Sequence, residues 1–308
     1  MSGAGLSAPI DLQRVRQLFA QPDRIADSDF LRREVAGRMI ERLALVKTSP
    51  QRVLDLGCGE GADLPALQGQ YPEAQVIGVD ASPALLANAR GRYLSATSSL
   101  NRLLTRWLPK KAGPGLGPGA GLLCSDFAQL PFRTGSTGLI WSNLALHWHP
   151  QPDRVFAEWR RVLQVDGLLM FSCFGPDTFK EVRAAFAAID DAPHTLSFVD
   201  MHDLGDMLVN AGFSTPVMDM ETIPVTNDSI DKQLADGRAW GGNPLTTRRR
   251  GLLSRNKRTT LVNILEQSRR ADGKIPLTFE VVYGHAFRPA PKTTASGEAI
   301  IRLDLRKK

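Results

Sequence analysis

The chain contains little cysteine and no long apolar run. Its three cysteines, Cys58, Cys124 and Cys173, are spread over 308 residues with no close pair. This scarcity excludes a disulfide framework and a thiolate zinc site, and it is typical of a reducing compartment. No apolar stretch approaches the roughly 20 residues that span a bilayer, and the N-terminal segment lacks an apolar core of the signal-peptide kind. We therefore expect a cytoplasmic protein without a transmembrane segment.

Histidine is also scarce, since the chain has five. Two of them, His147 and His149, have the H-x-H spacing that can bind a metal ion, but no cluster of acids or cysteines accompanies them. We expect no metal site. His147 is predicted to be a structural histidine, with a place in a ligand cleft as the alternative.

Acidic residues are missing from two parts of the chain. The net charge of +6, from 38 basic and 32 acidic residues, is modest, so its distribution matters more than its sum. No acid occurs between Gly91 and Gly121, and none occurs between Arg238 and Arg258, where there are seven basic residues. The hydrophobic content of 43% is ample for a core.

The most informative stretch is RVLDLGCGEG, residues 52–61. Two apolar residues run into Asp55, and three glycines follow at alternate positions, namely Gly57, Gly59 and Gly61. The pattern predicts a buried parallel strand, a tight turn, and a helix that begins near residue 62. Glycine tolerates the backbone of such a turn, and the helix N-terminus leaves backbone N–H groups open to a ligand.

The glycine spacing differs from that of a dinucleotide-binding loop. Such a loop has the form G-x-G-x-x-G and places a pyrophosphate on the helix, whereas the form here is D-x-G-x-G-x-G. An acid before the first glycine favours a ligand with a positively charged amine. A second apolar strand, Val76–Val79, ends in Asp80, whose carboxylate could accept both hydroxyl groups of a ribose.

Two later strands also end in polar residues. A third strand, Gly121–Cys124, precedes Asp126 and Phe127, and a fourth strand ends at Asn143. Together with the glycine stretch and Asp80, these residues resemble the motifs of class I S-adenosylmethionine-dependent methyltransferases. The resemblance implies S-adenosyl-L-methionine as cofactor, with Asp126 at the exocyclic amine of adenine and Phe127 against its ring. It implies ten cofactor-binding residues: Asp55, Gly57, Cys58, Gly59, Gly61, Asp80, Ala81, Asp126, Phe127 and Asn143.

The order of the predicted elements, with this resemblance, implies an α/β fold of the Rossmann-like methyltransferase class. We expect a seven-stranded, mostly parallel sheet with helices on both faces. The expected parts are an N-terminal helical cap (1–48), a cofactor-binding core (49–227) with an insertion (91–121), a helical substrate lid between strands six and seven (228–272), a last strand (273–287) and a mobile tail (288–308).

The insertion contains a short basic amphipathic pattern. Five apolar residues recur at helical spacing, and basic residues lie between them: Leu100, Leu103, Leu104, Trp107 and Leu108. A segment rich in proline and glycine follows. The pattern predicts either a helix packed on the edge of the domain or a contact for an acidic partner or a membrane surface.

Longer stretches resemble one subfamily. SNLALHW, CFGPDTFKEVRAAF, RRRGLL and PLTFEVVYGHAF are similar to the malonyl-acyl-carrier-protein O-methyltransferases of biotin synthesis. The resemblance covers about residues 10–287 apart from the insertion. It implies methyl transfer from S-adenosylmethionine to the free carboxylate of a malonyl thioester on acyl carrier protein, which gives the methyl ester that primes pimeloyl synthesis.

The segment before the glycine stretch, LFAQPDRIADSDFLRREVAGRM, resembles another group. It is closer to the mitochondrial complex I assembly factor that keeps the methyltransferase fold and is linked to arginine hydroxylation. The alternatives are therefore an enzyme that modifies an arginine and an assembly factor without catalysis.

The implied reaction needs a cation more than a base. A carboxylate is ionised at neutral pH, and a planar guanidinium can hold it in place through two hydrogen bonds. We predict that Arg250 is this clamp and that Tyr283 and Trp240 line the substrate pocket. The expected partner is the acidic acyl carrier protein rather than a nucleic acid. Its predicted docking residues are Arg248, Arg249, Arg250, Arg255, Lys257 and Arg258.

Overall fold

The structure, a computed structural model, describes residues 9–21, 29–96, 121–240, 242–249 and 251–291, with side chains described for all of these except 92–96. The amphipathic pattern of the insertion lies outside the described residues. So do Arg250 and the part of the predicted tail beyond residue 291.

Seven strands form one mixed sheet in the order β3-β2-β1-β4-β5-β7-β6. Strands β1 to β5 pair in parallel, and β7 runs antiparallel to both of its neighbours. The strands are β1 (Arg52–Leu56), β2 (Gln75–Asp80), β3 (Gly121–Cys124), β4 (Thr137–Ser142), β5 (Leu163–Phe174), β6 (Ser214–Asn227) and β7 (Ile275–Phe287). The predicted α/β fold with a mostly parallel, seven-stranded sheet is confirmed.

Nine α-helices occur in the described ranges, and a 3₁₀ turn, Leu146–Trp148, follows β4. The helices are Leu12–Phe19, Asp29–Ala44, Leu64–Gln70, Pro83–Ala96, Pro152–Val162, Lys180–Ala187, Met201–Asn210, Ile230–Ala239 and Arg255–Glu266. Five of them begin after a residue whose side-chain oxygen accepts a backbone N–H of the first turn: Asp11, Ser82, Asp200, Ser229 and Ser254. Such caps satisfy N–H groups that have no partner within the helix.

The core consists of two layers, one on each face of the sheet. Successive residues of a strand point to opposite faces. Val53 of β1 and Met170 of β5 belong to one layer, whereas Leu54 and Phe171 belong to the other. The strands are therefore apolar on both faces, as the sequence indicated.

Helices cover both layers. Asp29–Ala44 and Leu64–Gln70 contribute buried residues to the first layer, and Pro152–Val162 and Met201–Asn210 contribute to the second. Because the parallel strands leave their carboxyl ends along one edge, the segments after β1, β2 and β4 meet there.

Asp166-Gly167 is a typical turn signal in the sequence, but these residues lie within β5. Leu163 pairs with Thr137, and the register shifts before Leu168 pairs with Leu139. Asp166 has a φ of 61°, so the chain does bend at this point. Its backbone N–H donates to the carbonyl of Arg288 at 2.8 Å, which keeps the bend attached to the sheet.

Two helices, Ile230–Ala239 and Arg255–Glu266, lie between β6 and β7, in the segment predicted as a lid. A small buried cluster joins them to the helix Lys180–Ala187. Its members are Ala185, Ile230, Leu261, Leu265 and Ile275. The lid assignment and the other domain boundaries stay predictions.

Phe171 is expected to contribute strongly to stability. It is fully buried in β5 and packs against Phe156 at 5.3 Å and Trp159 at 6.5 Å between ring centroids. Replacing it by alanine should lower the free energy of unfolding by about 3–5 kcal/mol, measured by urea denaturation. The control is Phe30→Ala, at a side chain that is 52% exposed, which should change it by no more than about 0.5 kcal/mol. Equal losses in the two variants would contradict this account of the core.

Candidate functional site

A cavity of about 500 Å³ lies at the carboxyl ends of β1, β2 and β4. Eight of the ten residues predicted to bind the cofactor line it: Asp55, Gly57, Cys58, Gly59, Asp80, Ala81, Phe127 and Asn143. Gly61 and Asp126 are close in sequence but do not line it. The fold therefore brings most of the predicted cofactor residues together at one place.

The glycine turn is shaped by backbone geometry and by β2. Gly57, Gly59 and Gly61 have φ values of 76°, 55° and 72°, in the region that glycine adopts without strain. The N–H groups of Gly57 and Cys58 both donate to the carbonyl of Val79, at 2.8 and 3.1 Å. A Cβ atom on Gly57 would lie 2.3 Å from the Cβ of Ala145, so no larger residue fits there.

Asp80 is fixed by the backbone on both sides. Its Oδ2 accepts the N–H of Gly59 at 2.9 Å, and its Oδ1 accepts the N–H of Ser82 at 2.8 Å. Burial raises the pKa of Asp80, and these hydrogen bonds oppose the shift. Its oxygens retain lone pairs that a ligand hydroxyl group could use.

Two more carboxylates lie beside it. Asp55 is 2% exposed, and its Oδ2 has no hydrogen-bond partner among the described residues. Burial raises the pKa of Asp55 well above its usual value, and the charges of Asp63 and Asp80 raise it further. Burial also raises the pKa of Asp63. Such a cluster favours a cationic ligand, because a buried charge without compensation is unfavourable.

Asp63 was missed by the sequence reasoning. Its Oδ2 accepts hydrogen bonds from Trp141 Nε1 at 2.9 Å and from Asn143 Nδ2 at 3.1 Å. The available signal was its position, since it stands two residues after Gly61 and directly before the helix Leu64–Gln70. An acid at that place is equally typical of an ordinary helix start, so the sequence did not single it out.

Asn143 lines the cavity, and its side chain also forms hydrogen bonds with three parts of the structure. Its Oδ1 accepts the hydroxyl of Ser172 at 3.0 Å, while its Nδ2 donates to Asp63 and to the carbonyl of Arg32 at 3.0 Å. The side chain therefore ties β5, the carboxylate cluster and the helix Asp29–Ala44 together.

Arg32 was also missed by the sequence reasoning. The structure places it in the cavity wall, with its guanidinium carbon 5.1 Å from the centroid of the Trp240 ring. Burial lowers the pKa of Arg32, and the charges of Asp29, Glu60, Asp63 and Asp80 oppose that shift. Position 32 follows the buried Leu31, but helical periodicity alone does not separate it from its exposed neighbour Arg33.

Phe127 and Asp126 differ in their surroundings. Phe127 lines the cavity, and its carbonyl accepts the indole N–H of Trp159 at 3.0 Å. Asp126 accepts the N–H of Ala128 at 2.9 Å and approaches Arg16 at 3.5 Å. Asp126 thus holds its own loop and the helix Leu12–Phe19.

A second cavity, of about 630 Å³, adjoins the first. Its wall contains six large aromatic residues: Trp148, Phe174, Phe179, Phe186, Phe198 and Trp240. Trp148 lines both cavities, so its indole forms part of the wall between them. The placement of Trp240 agrees with its predicted role in a substrate pocket.

Tyr283 lies elsewhere. It is 4% exposed on β7, its hydroxyl donates to Glu221, and the guanidinium carbon of Arg42 lies 4.2 Å from the centroid of its ring. Burial raises the pKa of Tyr283. It lines neither of the two large cavities, nor a third, small cavity next to His147. With Arg250 outside the described residues, both substrate-positioning roles stay predictions.

Several basic residues of the predicted docking set have partners within the chain. Arg249 and Lys257 both contact Asp190, at 2.6 and 3.0 Å. His194 and these two cations hold the pKa of Asp190 well below its usual range. Arg258 pairs with Asp231 at 3.1 Å, and Arg248 donates to the carbonyl of Leu245 at 3.1 Å. Arg255 is exposed at the start of its helix.

His147 is placed as a structural histidine. Burial lowers its pKa to about 3, and its Nδ1 accepts the N–H of Phe174 at 3.4 Å. Across the described residues, no group of three histidine, cysteine or acidic side chains is arranged to hold a metal ion. The helices of the same residues include none with the length and apolar character needed to cross a bilayer.

Comparison with known proteins identifies the family. A model described as a methyltransferase domain matches residues 54–171. The malonyl-[acyl-carrier protein] O-methyltransferase of Laribacter hongkongensis is 45% identical over 287 residues, which cover 92% of this chain and 91% of that protein. The protein of the same name from Gallionella capsiferriformans is 41% identical over 299 residues, covering 96% and 98% of the two chains.

The fold has a counterpart among solved structures. The YcgJ protein from Bacillus subtilis matches with a TM-score of 0.56 at 16% identity, over 84% of this chain and 100% of that chain. This likeness concerns the fold alone, whereas the sequence relatives extend over nearly the whole chain. The chain therefore belongs to the malonyl-[acyl-carrier protein] O-methyltransferase family.

Proposed function

We propose that this protein transfers a methyl group from S-adenosylmethionine to the free carboxylate of a malonyl thioester on acyl carrier protein. The product would be the methyl ester that primes pimeloyl synthesis for biotin. The observation that carries the proposal is the contact of two cavities at Trp148, one lined by carboxylates and the glycine turn, the other by aromatic rings. The names of relatives at 41% and 45% identity support the acceptor.

The first cavity fits S-adenosylmethionine, which supplies a methyl group on a sulfonium sulfur. The unpartnered Oδ2 of Asp55 lies in a negative cluster that suits a cationic ligand. Asp55 and Asp63 would hold the amino group, and Asp80 would accept the ribose hydroxyl groups. Phe127 would lie against the adenine. The lack of room for a Cβ on Gly57 keeps the turn in the shape that lets a ligand approach its backbone.

The second cavity fits the acceptor. Its aromatic wall limits water, so charges within it interact more strongly than in solvent. Because the acceptor carboxylate is already ionised near neutral pH, the chain needs no general base. Its task is to place the carboxylate oxygen in line with the methyl carbon, which can contribute about 7–11 kcal/mol in well-oriented systems.

The mouth of the second cavity suits an acidic protein. Leu252 lines this cavity and is 94% exposed, and Arg255 and Arg258 follow it on the surface. An acyl carrier protein could bring an apolar contact to Leu252 and negative charge to these arginines. Arg249 and Lys257, which Asp190 holds, would add to the positive field without being free to pair directly.

The test of the function is the product. Purified protein incubated with labelled S-adenosylmethionine and malonyl-acyl carrier protein should give a base-labile methyl ester on the carrier protein. Gly57→Val is the matched control and should give no ester, because the added side chain would collide with Ala145. Cofactor binding without any ester would refute the proposal. One added oxygen on an arginine of a partner protein would favour the arginine-modifying alternative.

Cofactor affinity is expected to rise with pH. In the free protein the raised pKa values of Asp55 and Asp63 favour bound protons, and a cation binds better once these are released. The rise should appear above the ordinary aspartate pKa of about 3.9 and below the pKa of about 7.7–8.0 of an α-amino group. Titration calorimetry in two buffers of different ionisation enthalpy should detect proton release on binding.

Substitutions can distinguish the effect of the buried carboxylates from that of other acidic residues. Asp63→Asn should weaken binding and reduce the pH dependence, whereas Glu73→Gln, at an exposed site, should leave both as they are. Affinity that is independent of pH, with no proton release, would contradict the assignment of the amino group to these carboxylates.

Docking of the carrier protein should respond to two kinds of substitution in different ways. Arg255→Glu should weaken binding about tenfold at roughly 50 mM salt, and the effect should shrink near 500 mM, because salt screens exposed charges. Leu252→Glu should also weaken binding, with an effect that persists at high salt because an apolar contact is lost. Surface plasmon resonance can measure both.

The control for docking is Lys47→Glu, an exposed residue that lines neither of the two large cavities. It should leave carrier-protein binding within about twofold, since salt screens exposed charges that lie away from the contact surface. Docking through this surface would be refuted if all three variants bound equally well at low salt.

A further inference from the structure

We propose that Arg32 binds the acceptor carboxylate beside the methyl group, a role that rests on the proposed carboxyl methylation. The sequence pointed instead to Arg250. Arg32 is carried by the helix Asp29–Ala44, which the sequence analysis placed in a cap rather than in the substrate pocket. The argument for Arg32 comes from its position, its surroundings and the charges that change in the reaction.

Arg32 lies where the two cavities meet. It lines the first cavity, called here the cofactor cavity. Its guanidinium carbon is 5.1 Å from the centroid of Trp240, which lines the second cavity, called here the acceptor cavity. Trp148, which lines both, marks the same boundary. A methyl group can pass from donor to acceptor only at such a boundary, so the acceptor carboxylate must come to this place.

The other arginines in the described walls of these two cavities are less suitable. Arg16 and Arg33 line the cofactor cavity, where they approach Asp126 and Asp29 rather than a ring of the acceptor cavity. Arg238 and Arg258 line the acceptor cavity but not the cofactor cavity. Arg32 is the arginine of this set that lines the donor side and also contacts an aromatic ring of the acceptor side.

The geometry suits recognition of a carboxylate. A guanidinium is planar and presents paired N–H donors that match the two oxygens of a carboxylate. The ring of Trp240 can support the guanidinium from one face through a cation–π contact. The backbone carbonyl of Arg32 is held by Asn143 Nδ2 at 3.0 Å, which fixes the start of the side chain.

The charges give Arg32 a role that changes during the reaction. Before the cofactor binds, Asp63 and Asp80 surround Arg32 with negative charge, which disfavours a second anion. A cationic cofactor offsets these carboxylates and leaves Arg32 able to attract the acceptor. The carboxylate oxygen forms a bond to the methyl carbon as the bond between that carbon and the donor sulfur breaks, and the electron pair of the broken bond stays on the sulfur. No proton is transferred, and the acceptor loses its negative charge. The ester then no longer pairs with Arg32, which favours release.

A competing role for Arg32 is to bind the carboxylate of the cofactor itself. The two roles differ in what a substitution changes. In the proposed role, loss of Arg32 removes the preference for a free acid over its ester. In the competing role, loss of Arg32 weakens the binding of the cofactor and leaves the preference for the free acid intact.

The experiment compares the binding of two carrier proteins, one with a malonyl group and one with its methyl ester. The protein is first loaded with an unreactive amine analogue of the methyl donor, so that no methyl transfer occurs. The original protein should bind the free acid at least tenfold more tightly than the ester. Arg32→Gln should abolish this preference, and Arg32→Lys should retain part of it, while cofactor affinity stays within about threefold in both.

The matched control is Arg90→Gln, an exposed arginine that lines neither large cavity and should keep the full preference. An unchanged preference in Arg32→Gln, or a fall confined to cofactor affinity, would overturn the proposal. If Arg32→Gln does not fold, Arg32→Lys carries the same comparison. Absence of any acid preference in the original protein, together with absence of ester formation, would instead refute the proposed function.

Discussion

Burial of three carboxylates at the carboxyl ends of β1 and β2 is the constraint on which the site depends. Asp55, Asp63 and Asp80 are brought together by the glycine turn and by the pairing of these strands. Burial raises the pKa of each of them, so their ionised forms are unfavourable until a positive charge compensates them. A cationic ligand completes the site, and this makes the chain selective for such a ligand before any contact with its other parts is considered.

Hydrogen bonds from hydroxyl and amide groups fix the strand ends around these carboxylates. Ser142 donates to the carbonyl of Leu56 at 2.8 Å, which joins β4 to β1, and Ser172 donates to Asn143 at 3.0 Å, which joins β5 to the loop after β4. Leu144 adopts a φ of 50° between these bonds, and its N–H donates to Ser172. A non-glycine residue holds such a conformation only where its surroundings enforce it, which is a common feature of ligand sites. The strain and the hydrogen bonds thus fix the same cavity wall.

Most of the fold could be predicted from the sequence, because the patterns that indicate strands and turns involve residues close together in the chain. The strands β2 and β3 have the predicted bounds, and the glycine turn has the predicted backbone, since apolar runs and glycine spacing depend on neighbours in the chain. Eight of the ten residues predicted to bind the cofactor line one cavity for the same reason. Arg32 and Asp63 could not be found in this way. Their roles come from packing between a helix and a strand end that are distant in sequence, and periodicity does not distinguish a helical arginine in solvent from one that faces a cavity. The sequence also does not show that the bend at Asp166 stays within a strand, because the hydrogen bond to Arg288 joins residues that are distant in the chain.

Trp148 gives the two cavities a common wall, and this has a consequence for inhibition. A bisubstrate compound, with a nucleoside-like part for the carboxylate cavity and an acyl part for the aromatic cavity, would need only a short linker around one indole. Joining the two parts makes the second binding event intramolecular, so affinity can exceed that of either part by about 10²–10⁴ without a new contact. The length of that linker would be set by the position of a single side chain on the 3₁₀ turn Leu146–Trp148.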